Sequence, residues 1–305
     1  MNLDGLTMSV LARELNESLQ TGQIQKLYQV DKHSLLFKVR SANQDVNLMI
    51  TVGANPAVYI CNPLQDLPKE PSSLCMFLRK HIEGSRITSV EQINGDRILC
   101  IHIDKLEMDG SITSTSLYIE LMGKYSNCIF VQNDTILESI IHVSPMMNRE
   151  RSVGPKIAYE LPPNSNRVSL LDFSEEEISN LLKTFGSGTV INTIRSVFNG
   201  FGKALLDYVL NQSNLDGSEE LTTLSDTSFQ NLYKSLYNLK EKLLVAHQLF
   251  MYENTRGKKI FMPFPIEIDY TLIKTYPSIS NAIEESIVAT GSIHTADKEL
   301  ERIIS

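Results

Sequence analysis

Residues 97–104 read RILCIHID, and they are followed by TSTSLYIELM at 113–122 and NCIFVQ at 127–132. Short apolar runs bounded by turn residues are typical of β-strands. A turn signal, Asn133-Asp134, separates the last run from a further strand-like segment, Ile136 to Val143. Together with Ile87 to Ile93, this stretch predicts a meander of strands, and it decides the fold.

The residues before the meander add more strands and two helices. Apolar residues at helical spacing predict a helix from Met8 to Leu19, which Gly22 ends. A second helix is predicted from Leu74 to Ile82, closed by Gly84, with Phe77 facing the core. The predicted strands are Ile24–Tyr28, Ser34–Arg40, Asn47–Thr51 and Ala57–Cys61. Many short strands with two helices predict an α+β fold, a β-sandwich that carries helices at its flank.

From Ser174 onward the pattern becomes helical. Ser174 followed by three glutamates is typical of a capped helix start. Three more helices and a strand hairpin are predicted at Thr189–Phe198, Lys203–Asn211, Ser228–Leu244 and 250–261.

Composition places the chain among globular proteins. Of 305 residues, 42% are hydrophobic and 21% are charged, so we expect a real core. No apolar run approaches the roughly 20 residues of a membrane helix, and the N-terminus lacks the pattern of a secretory signal. The sequence therefore predicts a cytoplasmic protein with no membrane partner.

Cysteine and histidine spacing argues against a metal site. The four cysteines, Cys61, Cys75, Cys100 and Cys128, form no CxxC pair, so we expect them to be buried and reduced. The six histidines are scattered, without a cysteine or carboxylate at ligand spacing. No metal and no cofactor are expected, and the phosphate-loop, dinucleotide and GxSxG motifs do not occur.

The net charge of −8 argues against general nucleic-acid affinity, because phosphate binding needs local positive charge. The charge is unevenly distributed, however. Residues 1–170 hold 16 Lys/Arg against 18 Asp/Glu, whereas residues 171–305 hold 12 against 18. A local basic face in the first half is therefore possible.

Four polar motifs in that half combine cations, small residues and hydrogen-bonding side chains. They are Arg79–Gly84, Gly95–Arg97, Glu120–Asn127 and Ser144–Arg151. None has the layout of a metal site or a nucleophile. The mixture suits binding of a polyanion better than covalent chemistry.

Each motif has a functional and a structural interpretation. Arg97 can pair with a phosphate or a base edge and Asp96 can accept from a ribose hydroxyl, or the two form a local ion pair that pins the turn. Arg79 and Lys80 end a helix, where cations bind RNA or simply compensate the helix dipole.

Two further motifs are open in the same way. Lys124, Tyr125, Ser126 and Asn127 offer a cation, a ring and hydrogen-bonding groups, which suit RNA, or they form a plain β-turn. Arg149 and Arg151 have two interpretations as well: they bind phosphates, or they are merely solvated side chains.

The segment Asn199-Gly200-Phe201-Gly202 between two predicted helices is typical of a helix-hairpin-helix turn. Its glycines permit a tight turn that exposes N–H groups to a phosphate, and Lys203 adds charge. The alternative is an ordinary interhelical turn with a glycine cap.

Taken together, these motifs resemble the N-terminal domain of the NFACT family, which is often filed as fibronectin-binding protein A. The most specific stretches are Glu120–Asn127 and Arg151–Pro163; Thr51–Pro56 departs from a Ser-x-His-Pro-like segment of the family. The resemblance implies a fold similar to the N-terminal domain of formamidopyrimidine-DNA glycosylases, followed by a helical module. Glycosylase activity is not expected, because Asn2-Leu3 stands where those enzymes have a nucleophilic Pro and a Glu.

The resemblance also implies a function. Bacterial members look like ribosome quality control factors, which bind a large ribosomal subunit holding peptidyl-tRNA and recruit tRNA, chiefly alanyl-tRNA, for mRNA-independent C-terminal tailing. Such a factor positions tRNA, uses no small-molecule substrate and is not an enzyme. The family's Asp-Arg pair matches Asp96-Arg97, and its near-terminal acid matches Asp4. The alternative is a surface adhesin for fibronectin or fibrinogen.

The predicted organisation has three parts. Residues 1–171 form the NFACT N-terminal domain, 172–285 the helix-hairpin-helix module with its hairpin, and 286–305 the start of a coiled coil. The last part includes the amphipathic pattern of Ala296 to Ile304.

Overall fold

The computed structural model describes residues 3–41, 44–53, 55–163, 167–267 and 270–289. Its main feature is a nine-stranded antiparallel sheet with the strand order β4-β3-β2-β1-β5-β6-β7-β8-β9. The strands are β1 (Gln23–Asp31), β2 (Ser34–Arg40), β3 (Asp45–Thr51), β4 (Ala57–Cys61), β5 (Arg86–Gln92), β6 (Ile98–Leu106), β7 (Ile112–Glu120), β8 (Asn127–Gln132) and β9 (Thr135–Ser139). The predicted meander and the α+β class are confirmed.

The sheet has two halves, each built from strands that follow one another in the chain. They meet where β1 lies beside β5, through the residue pair Gln23↔Arg86 and flanking backbone hydrogen bonds such as Ile24 N–H to the carbonyl of Ser85 at 2.9 Å. The strand β9 is shorter than predicted. Past Ser139, the amide N–H of Ile141 donates at 3.0 Å to the side-chain Oδ1 of Asn127 instead of a backbone carbonyl, so the regular pairing with β8 ends.

Two helices belong to this half of the chain, α1 (Gly5–Leu19) and α2 (Ser73–Ile82). Asp4 caps α1 by accepting the amide N–H of Thr7 at 2.7 Å, and the predicted apolar stripe of α1 is buried. The helix α2 buries Cys75, Leu78 and Ile82. Phe77 is 38% exposed, so its predicted core position was wrong. At helical spacing it falls beside the buried stripe rather than on it.

The second half is helical, as predicted. Its elements are α3 (Glu175–Phe185), α4 (Val190–Val197), α5 (Lys203–Ser213) and α6 (Asp226–Val245), with strands β10 (Leu249–Glu253), β11 (Lys259–Met262) and β12 (Thr271–Tyr276). The capping box at Ser174 and Glu177 that starts α3 is formed. The strand β12 and the helical residues 279–289 were not predicted, since β12 is exposed along almost its whole length and has no alternating pattern.

One continuous apolar core joins the sheet, α1 and the helical half. The helix α1 ties the parts together. Arg13 donates to the carbonyl of Leu243 at 3.1 Å, and the carboxylate of Glu14 accepts the amide N–H groups of Ile279 and Ser280 at 2.7 and 3.1 Å. The boundary at residues 171 and 172 stays a prediction, and the amphipathic segment 296–304 lies outside the described residues.

All four cysteines are free and buried, as expected. Across the described ranges, no helix combines the length and apolar character that a membrane crossing requires.

Candidate nucleic-acid interface

Three turns meet at one point of the molecule, and each contributes a glycine. The amide N–H of Leu6, at the start of α1, donates to the carbonyl of Gly200 at 3.1 Å. A Cβ atom on Gly5 would lie 2.5 Å from the carbonyl oxygen of Gly95 and 2.6 Å from Cα of Gly200. The three backbones therefore touch, and only glycine fits at this crossing.

Two amide side chains, half-buried Gln92 and buried Asn199, hold the crossing together. Nε2 of Gln92 donates to the carbonyls of Gly5 at 2.6 Å and Asp96 at 2.7 Å. Nδ2 of Asn199 donates to the carbonyl of Asn94 at 3.0 Å. The start of α1, the β5–β6 turn and the α4–α5 turn thus form one rigid unit.

A cleft of about 540 Å³ opens beside this unit, a size within the range of small-ligand sites. Its lining includes several of the predicted site residues and two arginines that sequence reasoning missed. The lining residues are Leu3, Asp4, Gly5, Asp96, Arg97, Arg167, Arg195, Phe198, Asn199, Gly200, Phe201 and Gly202. Arg167 and Arg195 carry no motif; only their position next to the predicted hairpin marks them.

The Asp96-Arg97 pair lies at the mouth of this cleft. Oδ1 of Asp96 accepts the amide N–H of Arg97 at 2.7 Å, which fixes the turn before β6. Within the described chain the two side chains form no ion pair, so the guanidinium of Arg97 stays exposed. The structure thus favours an outward-facing cation over the pinning ion pair considered above.

Asp4 joins α1 to α5 through its carboxylate. One oxygen caps α1, and the carboxylate also lies against Gly202, the residue that caps α5, so that a Cβ atom on Gly202 would meet it. Burial raises the pKa of Asp4 above its usual 3.8, and the N–H groups of Thr7 and Gly202 and the charge of Arg97 offset this only in part. Asp4 is thus a structural carboxylate on the floor of the cleft.

This pKa shift predicts how stability depends on pH. Because folding raises the pKa of Asp4, the folded chain binds the proton more tightly, and the contribution of Asp4 to stability falls as pH rises above 3.8. We expect Asp4→Asn to gain stability relative to the wild type as pH increases from 3.8 through the raised pKa. Urea unfolding of both proteins over a pH series measures the difference. A difference that is constant, or that shrinks with pH, would contradict it.

The predicted helix-hairpin-helix turn is present between α4 and α5, with Gly200 at a φ of +83°. Its N–H groups are less available than predicted. The carboxylate of Asp4 lies against Gly202, and Asn199 is buried with its side chain bonded to the carbonyl of Asn94. Lys203 is exposed and lies 3.8 Å from Asp207. The hairpin therefore contributes Arg195 and part of the lining of the cleft. It does not present a helix N-terminus with free N–H groups to a phosphate.

The Gly123–Tyr125 turn continues the surface on the other side of Arg97. The amide N–H of Leu121 donates to the carbonyl of Arg97 at 2.8 Å, so the turn lies next to it. Lys124 is exposed, with Nζ 5.0 Å from the centre of the Tyr125 ring. Both side chains are presented to solvent.

Ser126 and Asn127 have internal roles instead of the predicted RNA contact. Both are buried. Oγ of Ser126 donates to the carbonyl of Gly123 at 2.5 Å, and Nδ2 of Asn127 donates to the carbonyl of Ile141 at 2.7 Å. They shape the turn and hold the following loop.

Arg149 and Arg151 differ although they lie two residues apart. Arg149 is exposed. Arg151 forms a two-pronged ion pair with Glu120, with N–O distances of 2.8 and 2.7 Å, while the hydroxyl of Tyr159 donates to the same carboxylate at 3.0 Å. Arg151 is thus a structural arginine and not the predicted phosphate clamp.

Arg79 and Lys80 lie far from the cleft. Nζ of Lys105 donates to the carbonyl of Lys80 at 2.6 Å, so α2 ends beside the far end of β6, about 26 Å along the strand from Arg97. Nε of Arg79 donates to the carbonyl of Leu27 at 2.8 Å and lies 3.3 Å from Glu83. The structure does not bring these two residues to the predicted site.

Four exposed cations remain on the surface around the cleft: Arg97, Lys124, Arg149 and Arg195. None makes an ion pair with a carboxylate that the structure describes. We call these four residues the basic edge. It is a local basic face on an acidic chain, which is the arrangement that phosphate binding needs.

Known proteins share this architecture. The family described as NFACT N-terminal and middle domains matches residues 4–286, nearly the whole chain. The chain belongs to the NFACT family. Among curated NFACT relatives, "Rqc2 homolog RqcH" of Bacillus subtilis is 36% identical over 205 residues, covering 66% of this chain and 35% of the relative. "Rqc2 homolog RqcH" of Streptococcus pneumoniae is 30% identical over 255 residues, covering 82% and 43%. The chain spans less than half the length of these NFACT proteins.

Solved structures share the NFACT fold. The N-terminal part of the fibronectin/fibrinogen-binding protein from Streptococcus suis matches with a TM-score of 0.77 and 23% identity, covering 94% of this chain and 100% of that structure. The N-terminal domain of the fibronectin-binding protein PavA from Streptococcus pneumoniae matches with a TM-score of 0.62 and 28% identity, covering 70% and 85%.

Proposed function

We propose that this NFACT chain is the tRNA-binding part of a ribosome quality control factor that acts in the cytoplasm on an obstructed large ribosomal subunit. Relatives named as RqcH and as "Ribosome quality control complex subunit 2" support this class of function. The observation that carries the proposal is the basic edge around the cleft. Exposed arginine and lysine side chains that form no close ion pair within the described residues are available to phosphates.

The basic edge also suggests how the RNA is held. Arg97 and Arg195 face the cleft from the β5–β6 turn and from α4, while Lys124 and Arg149 extend the surface past Arg97. The cleft is large enough for an unpaired nucleotide. Asp96 lies at its wall, and its carboxylate supplies an acceptor for a ribose hydroxyl or a base amino group.

We further propose a role in extending the stalled nascent chain. The protein recruits tRNA, alanyl-tRNA by family resemblance, to a large subunit that holds peptidyl-tRNA, and the stalled chain is extended at its C-terminus without mRNA. The ribosome makes the peptide bonds, and this protein contributes positioning, which lowers the entropic part of the barrier.

RNA capture tests the proposal directly. Immobilised protein is incubated with purified bacterial large subunits and total tRNA at moderate salt, and the bound RNA is sequenced. Enrichment of one or two tRNAs together with large-subunit RNA supports the proposal and identifies the tRNA. Recovery of no RNA above a bead control would reject it.

The matched variants are Arg97→Ala and Lys80→Ala, which remove exposed cations at opposite ends of β6. We expect Arg97→Ala to weaken tRNA binding about tenfold or more, because a hydrogen bond to a charged group contributes about 1.5–3 kcal/mol. Lys80→Ala should bind as the wild type does. Fluorescence anisotropy with labelled tRNA measures both, and equal losses would place the RNA elsewhere.

The adhesin interpretation is the second candidate, and the names of the solved NFACT structures favour it. It predicts binding of immobilised fibronectin or fibrinogen that does not depend on Arg97. Surface plasmon resonance with the wild type and Arg97→Ala separates it from the RNA proposal.

A further inference from the structure

Two methionines in the loop between β9 and residue 151 are highly exposed to solvent. Met146 is 97% exposed and Met147 is 70% exposed. Exposure of large apolar side chains to water is energetically unfavourable. Where several such side chains lie together on a surface, they mark a contact site. The loop itself is compact, since the amide N–H groups of Met147 and Asn148 both donate to the carbonyl of Ser144, at 2.9 and 3.1 Å.

Both stems of this loop are fixed beside the Gly123–Tyr125 turn. Glu120 and Asn127 face each other across β7 and β8 at the base of that turn. The first stem is bound to Asn127 through the backbone of Ile141, and the second is bound to Glu120 through Arg151. Val143 and Val153 also pair as a β-bridge. The loop that carries the methionines therefore starts and ends at the base of the turn that carries Tyr125, which is 69% exposed.

The charges around these apolar side chains point to an anionic partner. Lys124 and Arg149 are exposed, and Glu150 is the only acidic residue within 121–126 and 142–150. His142 of the loop lies 2.5 Å from Glu138. A Met-Met-Tyr surface flanked by two cations suits a group with a flat apolar face attached to a phosphate. An RNA nucleotide has both.

We propose that Met146, Met147 and Tyr125 form a wedge that contacts an unpaired nucleobase and separates it from its neighbour in the stack. Methionine is flexible and makes favourable sulfur contacts with aromatic rings, and proteins use inserted apolar side chains to unstack bases. Tyr125 offers a stacking face, and Lys124 and Arg149 bind the adjoining phosphates. The inference rests on the proposed RNA-binding function and adds the structural class of the ligand, an unpaired segment rather than a duplex.

The test uses an RNA stem-loop with a single 2-aminopurine in its unpaired loop. The fluorescence of 2-aminopurine rises when it is unstacked, and anisotropy of an end label gives the affinity in the same titration. We expect the wild-type chain to raise the 2-aminopurine signal. Met146→Ala with Met147→Ala should remove most of the rise and weaken binding severalfold, with an unchanged salt dependence, because no charge is lost.

The matched control is Leu106→Ala with Met108→Ala, which removes two exposed apolar side chains at the far end of β6. This control should give the full rise. An undiminished rise and affinity in the Met146/Met147 variant would overturn the wedge, and so would RNA binding by the wild type without any rise. If the wild type binds no RNA at all, the proposed function itself fails. Circular dichroism melting verifies that all variants are folded.

Discussion

Gly200→Ala is expected to destabilise the protein by about 3 kcal/mol or more, a large part of the stability of an ordinary domain. Gly200 has a φ of +83°, and an L-residue in that region costs roughly 1–2 kcal/mol. The added Cβ would also lie 2.6 Å from the carbonyl oxygen of Gly95 and 2.9 Å from the amide nitrogen of Leu6. Backbone atoms cannot rotate away as a side chain can, so the three-turn crossing has to open. Urea unfolding followed by circular dichroism measures the loss.

Gly84→Ala is the matched control. Gly84 has the same φ of +83°, but nothing lies within 4 Å of the added Cβ. It therefore carries the conformational cost alone, about 1–2 kcal/mol. The difference between the two variants isolates the close approach of the backbones. Equal losses in both variants would show that the crossing yields without cost, and the cleft would then not be rigid.

The crossing shows what sequence could and could not predict about this site. The Asn199–Gly202 segment was recognisable as a tight interhelical turn, because glycines between two apolar helices have few other uses. Its contact with Gly5 and Gly95 was not predictable. Those glycines are separated from it by roughly a hundred residues or more of chain, and periodicity carries no information about which turns meet.

The sheet was easier to predict because its signal is local. Residues 97–132 form short apolar runs that are mostly buried in β6 and β8, and each strand pairs with its neighbour in the chain, so the runs and the turn residues between them predicted the meander directly. The strand β12 has no such pattern, since it is held by pairing with β10 and hardly by burial. Its formation depends on the tertiary structure.

The polar motifs were identified by residue type, but type does not give direction. Arg149 and Arg151 are identical in chemistry, yet one is exposed and the other is enclosed with Glu120. Likewise, Lys124 is exposed, whereas the side chain of Asn127, three residues later, is hydrogen-bonded to the backbone of Ile141. About half of the candidate residues therefore support the surface from inside, and the fold around each side chain, not its residue type, decides to which group it belongs.

Arg151→Met is expected to be the second highly destabilising change, by about 3–5 kcal/mol. The side chain of Glu120 is only 3% exposed, and Arg151 neutralises it through two hydrogen bonds. Removal of one partner of a buried ion pair leaves an uncompensated charge, which accounts for a cost of this size. The hydroxyl of Tyr159 remains as a donor to Glu120 but carries no charge. Thermal and urea unfolding measure the loss.

Two further variants decide whether the buried charge is the cause. Arg149→Met makes the same chemical change at an exposed position in the same loop, and it should alter stability by less than about 0.5 kcal/mol. Glu120→Gln combined with Arg151→Met removes both charges, and it should recover much of the loss, because a neutral amide is far less costly to bury than a carboxylate. If the double variant is as unstable as Arg151→Met, the stability loss comes mainly from lost packing around Tyr159 and not from the unpaired carboxylate of Glu120. In that case packing, more than charge, holds residue 151 at the end of the loop that carries Met146 and Met147.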